Sequence, residues 1–282
     1  MDNDESQRRA YWAAQLDDAH DFMMKIMEYP VEDCGERLVS LPDAADAAGV
    51  EVFFSARPHA NGSPRVFVLR KGQIDGFIHA AGRLNDRGWA MRVEDGYRNR
   101  MVQKSLGMVP AVFDAVLSKV VWELDGRAPQ PDFLFKRLLT LVAQMPKIGT
   151  HMSGSAIDIS VVDRDSREDV DRGGPYLELS ELTPMDSHFV SPQAAGNRRA
   201  ITDIMSEGGF VAYPYEFWHY SGGDAYEQCL RETGRPGRYG AVDFDPVSGE
   251  ITPIENPCEH LNSLEEIQAE IQVSMQRLGR KG

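Results

Sequence analysis

The 282-residue chain is 42% hydrophobic with modest glycine and proline, which excludes a disordered or fibrous protein and leaves enough length to bury a large core. Its formal net charge of -14 argues against nucleic acid or an anionic membrane as a partner, because phosphate binding relies on clustered lysine and arginine. The acidic opening, residues 1–6, leads into no apolar run, no stretch approaches the ~20 apolar residues that span a bilayer, and Cys34, Cys229 and Cys258 read as reduced structural thiols, so a cytoplasmic location is the expectation.

Residues 5–27 carry Trp12, Leu16, Ala19, Met23 and Ile26 at helical spacing up to Pro30, which predicts a packing helix with His20 on its flank. Residues 50–55 and 66–69 have strand composition around a turn-rich loop. Ile74, Phe77, Ile78, Ala81 and Leu84 then predict an amphipathic helix, with His79 off its apolar stripe. A strand over 89–94 delivers Asp95-Gly96-Tyr97-Arg98 at its end, where a scaffold fixes a side chain that the turn exposes. Arg98 reads equally as a functional group or as the partner of Asp95 or Glu94.

Two helical runs, 109–124 and 132–145, break at 125–129 and look like a helical hairpin inserted before the next motif. Residues 155–162 alternate Ala156, Asp158 and Ser160 with Ile157, Ile159 and Val161, the period of a half-buried strand with Asp158 on its polar face. There it could meet His151, held in the Gly-rich approach. Residues 163–174 read as a solvated charged connector, 197–208 as a helix, 210–213 as a strand, 239–244 as the last strand, and 261–278 as a terminal helix that flanks the fold or makes an oligomer contact. The expected division is a helical extension over 1–37, a catalytic domain over 38–245 carrying the insertion at about 109–146, and a helical tail over 246–282.

His151, Asp158 and His219, with Glu216 to spare, are the parts of a catalytic zinc centre, in which three protein ligands leave a fourth position for water. Zinc accepts imidazole and carboxylate together. A carboxylate beside that water is needed to take its proton and pass it to a leaving amine, and Glu216, three residues before His219, is placed for this. Arg98 could hold the carbonyl oxygen as it gains charge, or grip a substrate carboxylate. Taken singly, each residue has a structural alternative: a loop histidine, an edge-strand carboxylate, a Glu216–His219 pair beside Trp218.

Together they carry a resemblance. His151-Met-Ser-Gly154-Ser-Ala156-Ile-Asp158 resembles the His-x-x-Gly-x-Ala-x-Asp motif of the zinc D-alanyl-D-alanine peptidases, and Glu216-Phe-Trp-His219 resembles their Glu-Trp-Trp-His. Asp95-Gly96-Tyr97-Arg98 is similar to the Asp-Gly-Tyr-Arg of the dipeptidase branch, the vancomycin-resistance type; Asn197-Arg198-Arg199 and Gly209-Phe210 follow in the same order. The resemblance implies that His151, Asp158 and His219 hold Zn2+, that Glu216 is the general base, and that Arg98 stabilises the transition state. It also implies an α+β fold, a central antiparallel sheet with flanking helices and the zinc site on the open face of the sheet. Tyr97, Ser155 and Trp218, inside or beside these motifs, are the expected substrate contacts. The expected activity is hydrolysis of a small peptide, foremost a D-Ala-D-Ala-type dipeptide, with a homo-oligomer left open.

Two positions depart from the branch. Gly149 stands where a serine usually precedes the first zinc histidine by two places, and Val190 stands where an aspartate grips the dipeptide's ammonium, leaving Asp186 or His188 as substitutes. A zinc amidase or carboxypeptidase on another small substrate, and a metal-binding module without turnover, are the alternatives.

Overall fold

The computed structural model describes residues 3–279. Its centre is a five-stranded sheet in the order β2 (Val52–Phe54), β4 (Trp89–Asp95), β5 (Ala156–Asp163), β7 (His219–Ser221), β6 (Val211–Ala212). The sheet is mixed rather than wholly antiparallel: β2 and β4 run parallel and the other pairs antiparallel. The parallel pair needs a crossover, and helix α3 (Ile74–Asp86) lies in the connection between the two strands. Strands β1 (Leu38–Ser40) and β3 (Val68–Arg70) form a separate antiparallel pair.

One face of the sheet is the main core. Ile157, Ile159 and Val161 of β5, with Met91 and Val93 of β4, pack on Phe77, Ala80 and Leu84 of α3 and on Ile201, Ile204 and Met205 of α7 (Pro192–Glu207). Helix α7 starts five residues earlier than its apolar spacing predicts, because Ser191 caps it, accepting from the Ala194 amide, and Pro192 suits the first turn.

The other face is not open. Strand β5 is buried along nearly its whole length, where its alternation predicts a half-exposed strand. Helices α5 (Pro110–Glu123) and α6 (Pro131–Val142) form the expected hairpin, and α9 (Leu264–Arg277) packs into it through Ile267, Ile271 and Met275. Helix α1 (Asn3–Glu28) joins this layer, with Phe22, Met23 and Ile26 against Leu139, Met145 and Ile148. The layer partly roofs the polar face of the sheet.

Short elements are where local pattern was least informative. Helices α2 (Leu41–Ala48), α4 (Arg100–Leu106) and α8 (Ala225–Leu230) are each eight residues or fewer, and β8 (Val242–Phe244) is followed by a further strand, β9 (Ile251–Pro253). The cysteines are free, but Cys34 and Cys258 are exposed, so a structural role fits only Cys229. Among the described residues no single helix is long and apolar enough to cross a membrane.

Candidate metal and peptidase site

Asp158 stands in the middle strand with a motif on either side. In register it pairs with His219 of β7 and with Asp95 of β4. The β4 pairing contains a bulge: Val93 faces Ile159, yet Asp95 faces Asp158. Strict alternation would put Asp95 on the same face as Met91 and Val93, inside the apolar core. The extra residue moves it to the polar face instead.

His151 arrives on a single 3-10 turn, Thr150–Ser153, that stops at Gly154. Gly154 has φ 66, and a Cβ there would collide with Leu38, so the motif glycine answers both a left-handed backbone and a close approach. Buried Arg70 braces the turn, donating from Nε to the Ser153 carbonyl at 2.6 Å. The turn before His219 is clamped similarly: the guanidiniums of Arg172 and Arg198 lie over the Phe217 ring at 4.8 and 4.1 Å, and Arg198 donates to the carbonyls of Arg172, Leu182 and Pro184. Arg172 is therefore buried structure, although it falls in the connector expected to be solvated.

These supports bring His151, Asp158 and His219 together, with one ligand atom from each within 4.8 Å of the others, all three buried. His151 Nε2 lies 3.2 Å and His219 Nδ1 2.9 Å from Asp158 Oδ1. His151 Nδ1 donates to the Gly96 carbonyl at 2.7 Å, which leaves Nε2 directed at the carboxylate. His219 Nε2 is hydrogen-bonded with Thr150 Oγ1 at 2.9 Å, which leaves its Nδ1 directed at the same carboxylate. Two imidazole nitrogens and a carboxylate oxygen so close together can share protons or ligate a cation, and this donor set fits zinc. Burial alone would raise the Asp158 pKa; the neighbouring His151 and His219 hold it well below the usual carboxylate range.

The triad forms the floor of a cavity of ≈ 150 Å³ that also takes in Arg98, Glu216 and Trp218. Arg98 donates from Nε to Asp95 at 2.7 Å and from Nη2 to Asp158 at 3.3 Å. The structural reading therefore has Asp95 as the partner, while Glu94 pairs with Arg92, and the Arg98 guanidinium also stands in the cavity beside Asp158. Burial, then the charge of Asp158, push the Glu216 carboxyl up to about 8, with Arg98 pulling the other way.

Tyr97 and Ser155 do not line this cavity. The Tyr97 hydroxyl donates to the Val242 carbonyl and its ring packs on Phe244, while Ser155 Oγ donates to Asp224 at 2.7 Å behind the 3-10 turn. A side chain next to a motif residue can point the other way, and both of these do. Asp186 and His188 are exposed and, like Val190, lie outside the cavity lining. Gly149 does line it.

Sequence reasoning missed several groups that touch the site. Tyr176 donates to Asp158 Oδ2 at 2.9 Å, Thr150 meets His219, and buried Asp95 collects Arg65 Nη1 at 2.7 Å and His59 Nδ1 at 3.5 Å besides Arg98. Burial takes the His59 pKa down to about 4 in spite of Asp95, so this ring is neutral. Thr150 adjoins a motif residue and could have been found. Tyr176, His59 and Arg65 come from loops whose approach is purely tertiary.

The D-ala-D-ala dipeptidase family of M15 peptidases matches residues 63–233. A D-alanyl-D-alanine dipeptidase of Synechocystis sp. is 29% identical over 247 residues, covering 76% of this chain and 95% of that protein. One from Streptomyces coelicolor is 28% identical over 161 residues, 57% of this chain and 71% of its own length, and one from Enterococcus faecium is 37% identical over 71 residues, 25% and 35%. Among solved structures, the LdcB LD-carboxypeptidase aligns with a TM-score of 0.39 at 18% identity over 74% of this chain and 79% of that one. The family match spans more than half of the chain and encloses the bulge, the His151 turn and the clamped segment before His219, and the chain belongs to the M15 peptidases of the D-ala-D-ala dipeptidase family, which makes it a metallopeptidase.

Proposed function

We propose that the chain is a zinc-dependent peptidase that hydrolyses a small peptide of the D-Ala-D-Ala type, with Glu216 as general base. The observation that carries this is the convergence of three lone-pair donors on the floor of a cavity whose wall holds a carboxyl group pushed toward neutral pH. His151, Asp158 and His219 would hold the ion. Bound zinc supplies Lewis acidity, which activates water near neutral pH and polarises a carbonyl.

The chain's own residues account for the rest. A carboxyl group with a pKa near the working pH can accept a proton from water and return it to the departing amine nitrogen, and Glu216 Oε atoms are the acceptor. Arg98, fixed by Asp95, presents a guanidinium beside Asp158 to the carbonyl oxygen as it gains negative charge. Thr150 and Gly96 set the two imidazoles in the tautomers that face the carboxylate. Trp218 at the cavity wall helps exclude water. The D-Ala-D-Ala preference is supported by the names of the family and of the relatives.

The test is the Glu216→Gln chain. It should retain about one zinc per chain by elemental analysis and lose on the order of 10²–10⁴-fold in hydrolysis of D-Ala-D-Ala. A Gln variant that still cleaves at the parent rate would remove Glu216 from the mechanism.

A further inference from the structure

Three carboxylates line the cavity among the described residues, and each is already engaged. Asp95 faces Arg98, Arg65 and the Gly96 amide; Asp158 faces both imidazoles, Arg98 and Tyr176; Glu216 is the base in the reaction proposed above. Arg65 and Arg98 balance the two aspartates and His59 is neutral, so a divalent cation on the triad leaves the cavity net positive even with Glu216 ionised. An ammonium group would enter without a counter-ion, and burying an uncompensated charge is strongly unfavourable. A carboxylate would meet guanidinium groups. Arg65 Nη1 has donor capacity to spare: it lies 2.7 Å from Asp95 Oδ2 but makes no aligned hydrogen bond.

The remaining wall has the opposite character. Leu106, Val112, Leu141 and Val142, from α4, α5 and α6, and Ile148 line the cavity with hydrocarbon. At its rim Leu177 is 60% exposed and held at φ 65, a backbone region leucine rarely occupies.

We propose that the substrate is an N-acylated amino acid or dipeptide, with an uncharged apolar acyl group on the helical wall and a free carboxylate toward Arg65 and Arg98. This rests on the hydrolytic function proposed above. The reaction forms a C–O bond from water to the acyl carbon of the scissile amide and breaks its C–N bond. It yields a carboxylate and a free amine, and the nitrogen receives its proton from the water.

The zinc-loaded Glu216→Gln chain, titrated calorimetrically with D-Ala-D-Ala and with N-hexanoyl-D-Ala-D-Ala, reads the preference without turnover. The acylated ligand should bind at least tenfold more tightly, since each buried methylene is worth about fourfold in affinity. Leu177→Asp in the same background should cut that ratio at least fivefold, and Leu177→Met should restore it. Equal or tighter binding of the free dipeptide overturns the acyl-substrate inference. The expected binding preference, with neither compound cleaved by the parent zinc enzyme, sustains the inference and overturns the hydrolytic function. Binding of neither compound overturns both.

Discussion

At the scale of single residues, hydrogen bonds orient the side chains proposed as metal ligands. Thr150 Oγ1 is the partner of His219 Nε2, and it sits on the turn that carries His151. Thr150→Val keeps the shape and removes the hydroxyl partner, which frees the imidazole tautomer. Zinc affinity, measured by competition with a chelator, should fall about 10–100-fold, and unchanged affinity would show that the bond does not set the tautomer. Arg98 makes a different point. Its Nε and Nη2 reach two aspartates at once, a geometry that needs the planar fork. Arg98→Lys keeps the charge but can satisfy only one partner, so kcat should drop by about 10²-fold with zinc content unchanged. A Lys variant with parental kcat would reduce Arg98 to a source of charge.

At the scale of elements, α3 and the end of α7 meet through glycines. A Cβ on Gly76 would fall on the Gly208 carbonyl oxygen, and one on Gly208 would meet the Gly76 carbonyl, so neither backbone can retreat without lifting a helix from the sheet. Gly76→Ala should therefore destabilise by about 2 kcal/mol or more despite alanine's better helix propensity, read as a lower denaturation midpoint; a neutral or stabilised variant would mean that the contact relaxes freely. Nothing in the sequence marks this crossing, since a glycine inside a helical pattern looks the same whether it is packed or free. The long periodic elements were legible: Trp12 to Ile26 and Phe77 to Leu84 announce α1 and α3 because burial repeats over several turns. The parallel β2–β4 pair and the β4 bulge were not, because partner choice and register depend on distant segments. The site divides the same way. His151, Asp158, Glu216, His219 and Arg98 stand in compact motifs, whereas Tyr176 and Arg65 reach it across loops and leave no local signal. Tyr97 and Ser155 show the converse, motif positions whose side chains brace the fold behind the cavity.

At the scale of the whole molecule, the cavity stores unfavourable charge burial that should appear in the stability of the metal-free protein. The Glu216 carboxyl, ordinarily near 4.5, is pushed up to about 8 by burial and by Asp158. The folded chain therefore holds this proton more tightly than the unfolded chain. The resulting stabilisation is complete below pH 4.5 and is lost as pH rises through about 8, a difference of a few kcal/mol. The buried histidines act in the opposite direction at lower pH. Burial lowers His59 to about 4 and lowers His219 as well, so both favour unfolding as pH falls below 6.5 and contribute no slope well above it. Between pH 7 and 8.5 the Glu216 contribution should dominate among these groups, because imidazoles of the unfolded chain are by then mostly deprotonated. The melting temperature of the chelator-treated chain should fall across that window, and Glu216→Gln, which carries no proton to lose, should flatten the curve. Adding zinc should raise the melting temperature and flatten the slope, because a divalent ion beside the carboxylate favours its ionised form and binding to the folded state alone adds about 4 kcal/mol at a thousandfold excess over Kd. A metal-free melting temperature that is flat or rising from pH 7 to 8.5 would mean that Glu216 is already ionised in the absence of metal, and that its burial does not tune it for proton transfer.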